Sequence, residues 1–145
     1  MSLRDGTKKM SKSDASELSR VLLTDSNDVI ATKLKKAKSD SDLIPDSVEL
    51  LKEKAECLNL INILSATMNQ SQEKTLQEFA GREYSILKNK LAENLIEVLG
   101  PIREEIKNLL DNKDELNKIL AIGTEKAEEI ANPILQEVYK IVGFR

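Results

Sequence analysis

The sequence predicts an all-α protein, an antiparallel helical bundle whose last two helices are the longest. Three observations support this fold class. Apolar residues recur at steps of three and four along most of the chain, which is the spacing of one helix face. No segment alternates apolar and polar residues with a period of two, as a half-buried strand would. Aromatic residues make up only 3% of the chain, so Leu, Ile, Val and Ala must fill the core.

The first 24 residues show no sustained helical period. Asp5-Gly6-Thr7 is typical of a turn, and the Lys- and Ser-rich run behind it resembles a loop. We therefore predict a flexible loop ahead of the helical body. The boundary between two functional parts, 1–24 and 25–145, falls where the loop gives way to the first helical pattern.

The first predicted helix begins after Asp25-Ser26-Asn27-Asp28, a run rich in residues that cap helix N-termini. An apolar stripe at helical spacing follows it. We expect this helix to end near Ser39 and Asp40. Residues 39–46 then read as a loop that Pro45 closes.

Two further helices are predicted before residue 81. The first covers about 47–65, and its pattern leaves open whether it breaks near Cys57. The second is short, begins near Ser71 and runs to Phe79. Gly81 is expected to stop it, because glycine readily adopts the left-handed conformation that ends helices.

The last sixty residues predict two long amphipathic helices. One apolar stripe covers 84–109 and contains Pro101, so we expect a kink about one turn before the proline. A tight connection at 111–114 follows. A second stripe then covers 116–141, and Gly143 ends it. A connection this short predicts an antiparallel helical hairpin.

Composition excludes several kinds of site. The chain has no His, which excludes Ser/His/Asp triads and His-containing metal sites, and its one cysteine excludes a cysteine zinc site. We therefore expect no metal site. Cys57 is expected to be a small apolar core residue. A free thiol, no visible signal peptide and no apolar run of membrane-spanning length predict a cytoplasmic protein without membrane contact.

Charge is distributed unevenly along the chain. Residues 1–38 hold nine Lys or Arg and five Asp or Glu, a net charge of +4, and the remainder carries −7. Contact with a polyanion should therefore concentrate at the N-terminal end. The candidate RNA-binding residues are Lys33, Lys35, Lys36 and Lys38. A solvated, Lys-rich helix face has the same pattern.

The most informative motif is Lys9-Met10-Ser11-Lys12-Ser13. When ATP activates a carboxylate, negative charge builds on the departing pyrophosphate. Two ammonium groups three residues apart on a loop can close over the β- and γ-phosphates and stabilise that charge. Small hydroxyl residues between them let the backbone approach phosphate oxygens closely. The motif therefore predicts ATP-dependent chemistry, with a disordered basic arm as the alternative.

The motif and its surroundings resemble the signature loop of class I aminoacyl-tRNA synthetases, most closely the bacterial tryptophanyl-tRNA synthetase family. The resemblance covers essentially the whole chain. It runs through Met1-Ser-Leu-Arg-Asp-Gly-Thr7, Asn59-Leu-Ile-Asn-Ile-Leu64, Phe79-Ala-Gly-Arg-Glu-Tyr84 and Ile119-Leu-Ala-Ile-Gly-Thr124. The tyrosyl family is the weaker match, because its bacterial loop usually has Gly at the central Ser and a further RNA-binding domain follows.

This resemblance implies a KMSKS-type loop in 1–24 and a helical domain in 25–145 that engages the anticodon arm of tRNA. It implies ATP with Mg²⁺, tryptophan and tRNA as ligands of a homodimeric full enzyme. Lys12 would be the main cation on the pyrophosphate side and Lys9 would assist it. Ser11 and Ser13 would shape the loop, and Met10 would help to seat it on the nucleotide.

The chain also departs from the family. Ala15 stands where a Pro often follows the loop Asp, and the catalytic front half with its His-containing ATP motif is absent. We therefore expect a C-terminal portion that is inactive and monomeric alone, with Met1 as an internal methionine or a boundary. We also expect an exposed apolar patch on the first helices. The alternatives are a non-catalytic RNA- or partner-binding helical module, and a helical scaffold whose loop sequence is coincidental.

Overall fold

The structure, a computed structural model, describes residues 1–144. Its described residues form one short 3-10 turn, Glu17–Ser19, and six α-helices without any strand. The predicted all-α class is therefore confirmed. The helices are α1 (Asn27–Lys35), α2 (Val48–Lys52), α3 (Ala55–Met68), α4 (Gln72–Phe79), α5 (Tyr84–Asp111) and α6 (Lys113–Val142).

Serine side chains start three of these helices. The hydroxyl oxygens of Ser26, Ser47 and Ser71 each accept a hydrogen bond from a backbone N–H three residues later, at the beginning of α1, α2 and α4. Such a cap satisfies one of the N–H groups that the first helical turn leaves without a partner. The starts of these helices therefore follow from local sequence.

The end of α1 differs from its predicted position. The helix stops at Lys35, about four residues early. Beyond it the chain turns, Ala37 is buried, and the N–H of Lys38 donates to the carbonyl oxygen of Leu3 at 2.8 Å. The carbonyl group of Leu3 thus accepts a hydrogen bond from a backbone N–H that would otherwise bond within a longer α1.

The helical pattern over 47–65 is broken, and the break falls at Glu53 and Lys54, before Cys57. The N–H groups of these two residues donate three residues back, to Leu50 and Leu51, and so tighten the end of α2. The chain then restarts as α3. Leu51 and Cys57 are fully buried on the two sides of the break, and the expected core role of Cys57 is confirmed.

The chain divides into two compact units, Met1–Glu104 and Glu105–Arg145, and the division falls within α5. The functional boundary at residues 24 and 25 stays a prediction. The first unit holds one core of aliphatic side chains from every helix between α1 and α5. Its fully buried large members are Ile30, Leu34, Ile44, Leu51, Leu60, Ile61, Leu64, Leu76, Leu87 and Leu91.

The apolar stripe of the first helices is partly covered, and one large apolar side chain of each helix is exposed, Val29 of α1 at 39% and Leu50 of α2 at 49%. In α1 the stripe residues Ile30 and Leu34 are buried, and Val29 is the only exposed large apolar residue of that helix. Exposed Leu, Ile and Val instead concentrate on α6, none of whose described residues is buried.

Both long helices extend as their patterns predict. α5 continues through Pro101, and the connection to α6 is the single residue Asn112, whose side chain caps α6 by accepting from the N–H of Glu115. Gly143 ends α6 with a φ of 77°, the left-handed conformation expected there. None of the helices described over 1–144 combines the length and the apolar character that crossing a membrane requires.

Candidate functional site: the lysine loop and its base

The motif lies at the tip of a loop whose two ends are joined. The N–H of Ser2 donates to the carbonyl oxygen of Lys8 at 2.8 Å, and the N–H of Leu3 donates to that of Ser19 at 2.9 Å. Leu3 itself is only 2% exposed and belongs to the core of the first unit. Residues 9–18 therefore project from a base that is part of the helical body.

Helix α3 holds this base through a buried amide. Asn59 is 5% exposed, and its Nδ2 donates to the carbonyl oxygens of Ser2, at 3.0 Å, and of Met1, at 3.3 Å. An amide side chain can satisfy several backbone groups at once. A polar residue inside the apolar stripe of α3 is thereby explained: it fixes the chain just before the loop.

An ion pair closes the base on its other side. Lys38 Nζ lies 2.7 Å from Glu56 Oε1, which joins the segment after α1 to the first turn of α3. The hydrogen bond from Lys38 lowers the pKa of the Glu56 carboxyl, and the same bond raises the pKa of Lys38. The Glu56 carboxylate therefore stays ionised to a lower pH, and the Lys38 ammonium group to a higher pH, than the free side chains do.

A tight turn over residues 5–8 leads into the motif. Asp5 Oδ1 accepts from the backbone N–H of Thr7 at 3.0 Å and from its hydroxyl at 2.6 Å. These two hydrogen bonds, with a smaller contribution from Lys8, lower the pKa of Asp5 to about 2. The carboxylate therefore stays ionised near neutral pH and keeps the turn closed.

Gly6 allows this turn to touch α3. A Cβ placed on Gly6 would collide with the carbonyl group of Ala55 and would lie 2.7 Å from the backbone nitrogen of Glu56. All three of these atoms are backbone atoms, so no side-chain rotation can relieve the clash. Only glycine lets the turn approach the start of α3 this closely.

We expect Gly6→Ala to lower the free energy of unfolding of the first unit by about 1–3 kcal/mol, the usual cost of overpacking. Gly100→Ala is the matched control, because its new methyl group meets nothing within 4 Å in α5 and a helical Gly-to-Ala change stabilises by roughly 0.5–1 kcal/mol. Urea unfolding followed by circular dichroism measures both. If both variants changed the free energy of unfolding equally and in the same direction, the turn at Gly6 would not be in close contact with α3.

The tip itself presents its cations to solvent. Lys9, Ser11, Lys12 and Ser13 are exposed, whereas Met10 is half-buried and packs against the core. The two serine hydroxyl oxygens lie 3.0 Å apart, and the Ser13 N–H donates to Ser11 Oγ at 3.3 Å. Within residues 1–144, neither lysine of the tip forms an ion pair.

The exit from the tip is hydrogen-bonded as well. Asp14 Oδ1 accepts from the N–H of Ser16 at 2.8 Å, and Arg20 Nη1 donates to the carbonyl oxygen of Asp14 at 3.0 Å. These contacts act on both sides of Ala15, where the resembled family often has a Pro. Side chains thus define the exit from the loop without a proline at that position.

The four candidate RNA-binding lysines fall into two kinds. Lys33 Nζ is buried and lies 2.6 Å from Asp25 Oδ2, and Lys38 is paired with Glu56. Lys35 and Lys36 are exposed at the end of α1. Of the four, these two are therefore the ones that present an unpaired ammonium group to a ligand in the described structure.

Sequence reasoning missed the residues that hold the loop. In the sequence, Asn59 stands out only within a segment that resembles the synthetase family, and Gly6 only within such a segment and a turn, and neither pattern indicates a role in holding the loop. Their partners lie about fifty residues away in sequence, so no local pattern connects them to the motif. The motif was visible because its five residues are adjacent in the sequence.

Comparison with known proteins identifies the family of the chain. Residues 1–100 match the family model described as tRNA synthetases class I (W and Y). A tryptophan–tRNA ligase of Agrobacterium fabrum is 45% identical over 144 residues, which are 99% of this chain and 41% of the relative. One of Caulobacter vibrioides is 46% identical and is covered to 42%. The chain thus spans about two fifths of the curated relatives that it matches.

A solved structure gives the same result. The crystal structure of tryptophanyl-tRNA synthetase from Mycoplasma pneumoniae superposes with a TM-score of 0.81 at 26% identity, covering 100% of this chain and 45% of that one. The helical fold described above is therefore one that a synthetase of this kind contains. Because the family model matches well over half of its residues, the chain belongs to the class I tRNA synthetases for tryptophan and tyrosine.

Proposed function

We propose that this chain is the C-terminal part of a tryptophan–tRNA ligase, and that it supplies the loop that closes over ATP together with the helical part that engages tRNA. The observation that carries the proposal is the exposed pair Lys9 and Lys12 at the tip of a loop whose base is fastened to the helical unit. The relatives named tryptophan–tRNA ligase support the choice of amino acid.

The reaction would begin with attack of the tryptophan carboxylate on the α-phosphate of ATP, which forms tryptophanyl adenylate and releases pyrophosphate. Lys12 would stabilise the charge that grows on the pyrophosphate side, and Lys9 would assist it. Ser11 and Ser13, through their mutual hydrogen bond, would shape the tip around phosphate oxygens. Mg²⁺ would enter bound to ATP.

The loop has the construction that such a role requires. Its base is tied by Leu3, Asn59 and the Lys38–Glu56 pair, so the tip can change position without displacing the core. A loop that closes on ATP and opens to release pyrophosphate can gate turnover. Met10 is half-buried and packs against the core, so it would help the opened loop to return to the same position.

The helical part would bind tRNA. Lys35 and Lys36 offer exposed ammonium groups to phosphate, whereas Lys33 and Lys38 would first have to leave their carboxylate partners. We propose that the complete enzyme works as a cytoplasmic homodimer and that the isolated chain is monomeric. Tyrosine remains the competing substrate within the family, and the central Ser11 favours tryptophan over it.

The test is a chimera in which this chain replaces the matching 144 residues of the Agrobacterium relative. We expect tryptophan-dependent exchange of pyrophosphate into ATP by the chimera, no exchange with tyrosine, and none by the isolated 145-residue chain. A folded chimera that exchanges only with tyrosine would assign the chain to the other amino acid. Pyrophosphate exchange by the isolated chain would contradict the proposal that this chain is only one part of the enzyme.

A further inference from the structure

Arg20 binds the backbone directly after the lysine motif. Its Nη1 donates to the carbonyl oxygen of Asp14 at 3.0 Å and to that of Ser16 at 3.4 Å. Asp14 immediately follows the last residue of the motif. The guanidinium group stays charged near neutral pH, so its hydrogen bonds to carbonyl oxygens are stronger than those between neutral groups. One side chain thus holds the downstream end of the tip at two points.

Arg20 is itself fixed to the helical unit. Ser19, the residue before it, is fully buried, and its carbonyl oxygen accepts from the N–H of Leu3 at 2.9 Å. Val21, the residue after it, packs against the core. With both neighbours held, the backbone of Arg20 belongs to the base of the loop. Its half-buried side chain reaches from that base back to the tip.

Asp14 connects this side chain to Lys12. The N–H of Asp14 donates to the carbonyl oxygen of Ser11 at 3.4 Å, which closes a turn with Lys12 and Ser13 at its centre. The Asp14 carboxylate accepts from the N–H of Ser16 at 2.8 Å and so stays within the exit of the loop. The contacts therefore run without interruption from the turn that carries Lys12, through Asp14, to the base.

We propose that Arg20 is a positioning residue for Lys12 in the activation of the amino acid. Arg20 does not touch ATP in this scheme. It holds the downstream end of the loop, so that Lys12 returns to one place over the phosphates each time the loop closes. Misplacing a group by about 1 Å, even by a change far from the chemistry, can cost about 10²-fold in rate. This inference rests on the function proposed above and adds the residue that sets its geometry.

The activity of the chimera with the Agrobacterium relative tests the role in the reaction. Arg20→Met keeps much of the length of the side chain and removes its donors. We expect its turnover number for tryptophan-dependent pyrophosphate exchange to fall about ten-fold, with the KM for tryptophan within a few-fold of the parent value. Arg20→Lys can still reach a carbonyl oxygen and should recover most of the loss.

Arg103→Met is the matched control for these variants. Arg103 also donates to a backbone carbonyl oxygen, that of Asp25 at 2.6 Å, but this contact lies beyond the loop, at the start of α1. We expect the turnover number of this variant within a few-fold of the parent chimera. An Arg20→Met chimera as active as the control would overturn the proposal.

A double variant separates positioning from a general structural effect. If Arg20 acts through Lys12, Arg20→Met should lower the turnover number of a Lys12→Ala chimera by no more than about two-fold, because the group that it positions is already gone. A full ten-fold loss on that background would also overturn the proposal, since Arg20 would then act on something other than Lys12.

Proteolysis of the isolated chain tests the hold on the tip without using catalysis. An endoproteinase that cleaves only after lysine can cut at Lys12 once the tip opens, so Arg20→Met should speed this cut about ten-fold. Arg103→Met should leave its rate unchanged. Mass spectrometry reads the site of the cut, and circular dichroism confirms that the helices are intact. Arg20→Gln replaces Arg20→Met if that variant does not fold.

The two measurements have separate consequences. Equal rates of cleavage after Lys12 in the parent chain and the Arg20 variant would overturn the proposal, because the tip would not be held by this side chain. A folded chimera that shows no exchange activity counts against the proposed function alone, since the cleavage rates still decide whether Arg20 holds the tip.

Discussion

Replacing Lys12 with Ala in the chimera is expected to lower the turnover number for tryptophan activation by about 10²–10³-fold. The reason is that the ammonium group acts on charge that exists mainly in the transition state, and loss of one such group costs roughly 3–4 kcal/mol of activation free energy. The KM for tryptophan should stay within a few-fold of its original value, because Lys12 does not contact the amino acid in this scheme. Steady-state pyrophosphate exchange measures both constants.

Lys8→Ala is the matched control for this experiment. Lys8 is also an exposed lysine of the loop, but it lies 3.3 Å from Asp5 in the turn before the tip, where the pair contributes little. We expect its turnover number within a few-fold of the parent chimera. If Lys12→Ala retained activity to the same degree, the motif would not act on pyrophosphate and its sequence would be coincidental.

Replacing Asp25 with Ala is expected to lower the free energy of unfolding of the first unit by about 3–5 kcal/mol. The side chains of Lys33 and Asp25 are only 6% and 10% exposed, and their charged atoms are 2.6 Å apart. The same Asp25 oxygen also accepts from the N–H of Leu22 at 2.8 Å. Its removal leaves a buried ammonium group and a backbone donor without their partner. Urea unfolding at neutral pH measures the loss.

Two further variants separate this cause from a general effect of removing a carboxylate. Asp42→Ala breaks the pair with Lys54, in which the Asp42 side chain is 73% exposed, and should cost no more than about 1 kcal/mol. The double variant Asp25→Leu with Lys33→Met removes both buried charges and should recover much of the loss. A single variant as stable as the parent would show that Lys33 reaches water once its partner is gone.

The elements that the sequence predicted correctly are those that depend on adjacent residues. Ser26 and Ser71 cap their helices through atoms three residues away, and Gly143 ends α6 by its own backbone conformation. The early end of α1 could not be predicted, because the carbonyl group that ends it belongs to Leu3. Periodicity shows which residues form a helix face. It does not show which distant group will form a hydrogen bond with the backbone and so end the helix.

The same distinction applies to the site. The exposed loop around Lys9 and Lys12 could be predicted, because the motif lies in a run of residues that shows no helical period. The burial of Lys33 could not be predicted from the sequence. A lysine in a helical pattern is expected to be exposed, and only the structure shows that Asp25 lies beside it. The exposure of α6 was not predicted for a related reason. An apolar stripe predicts that one face of a helix packs against other residues. The sequence does not show which residues these are.

The fastening of the loop base to α3 also sets an order of events during protein synthesis. Ribosomes make residues 9–13 well before Glu56 and Asn59, and the contact between Asn59 and Ser2 spans 57 positions. Closing a segment of that length costs entropy that only the packed helices can offset. The newly made lysine tip therefore has no fixed base until α3 has been made and has folded. In a nascent or half-folded chain, these cations are exposed on a segment that nothing holds in place.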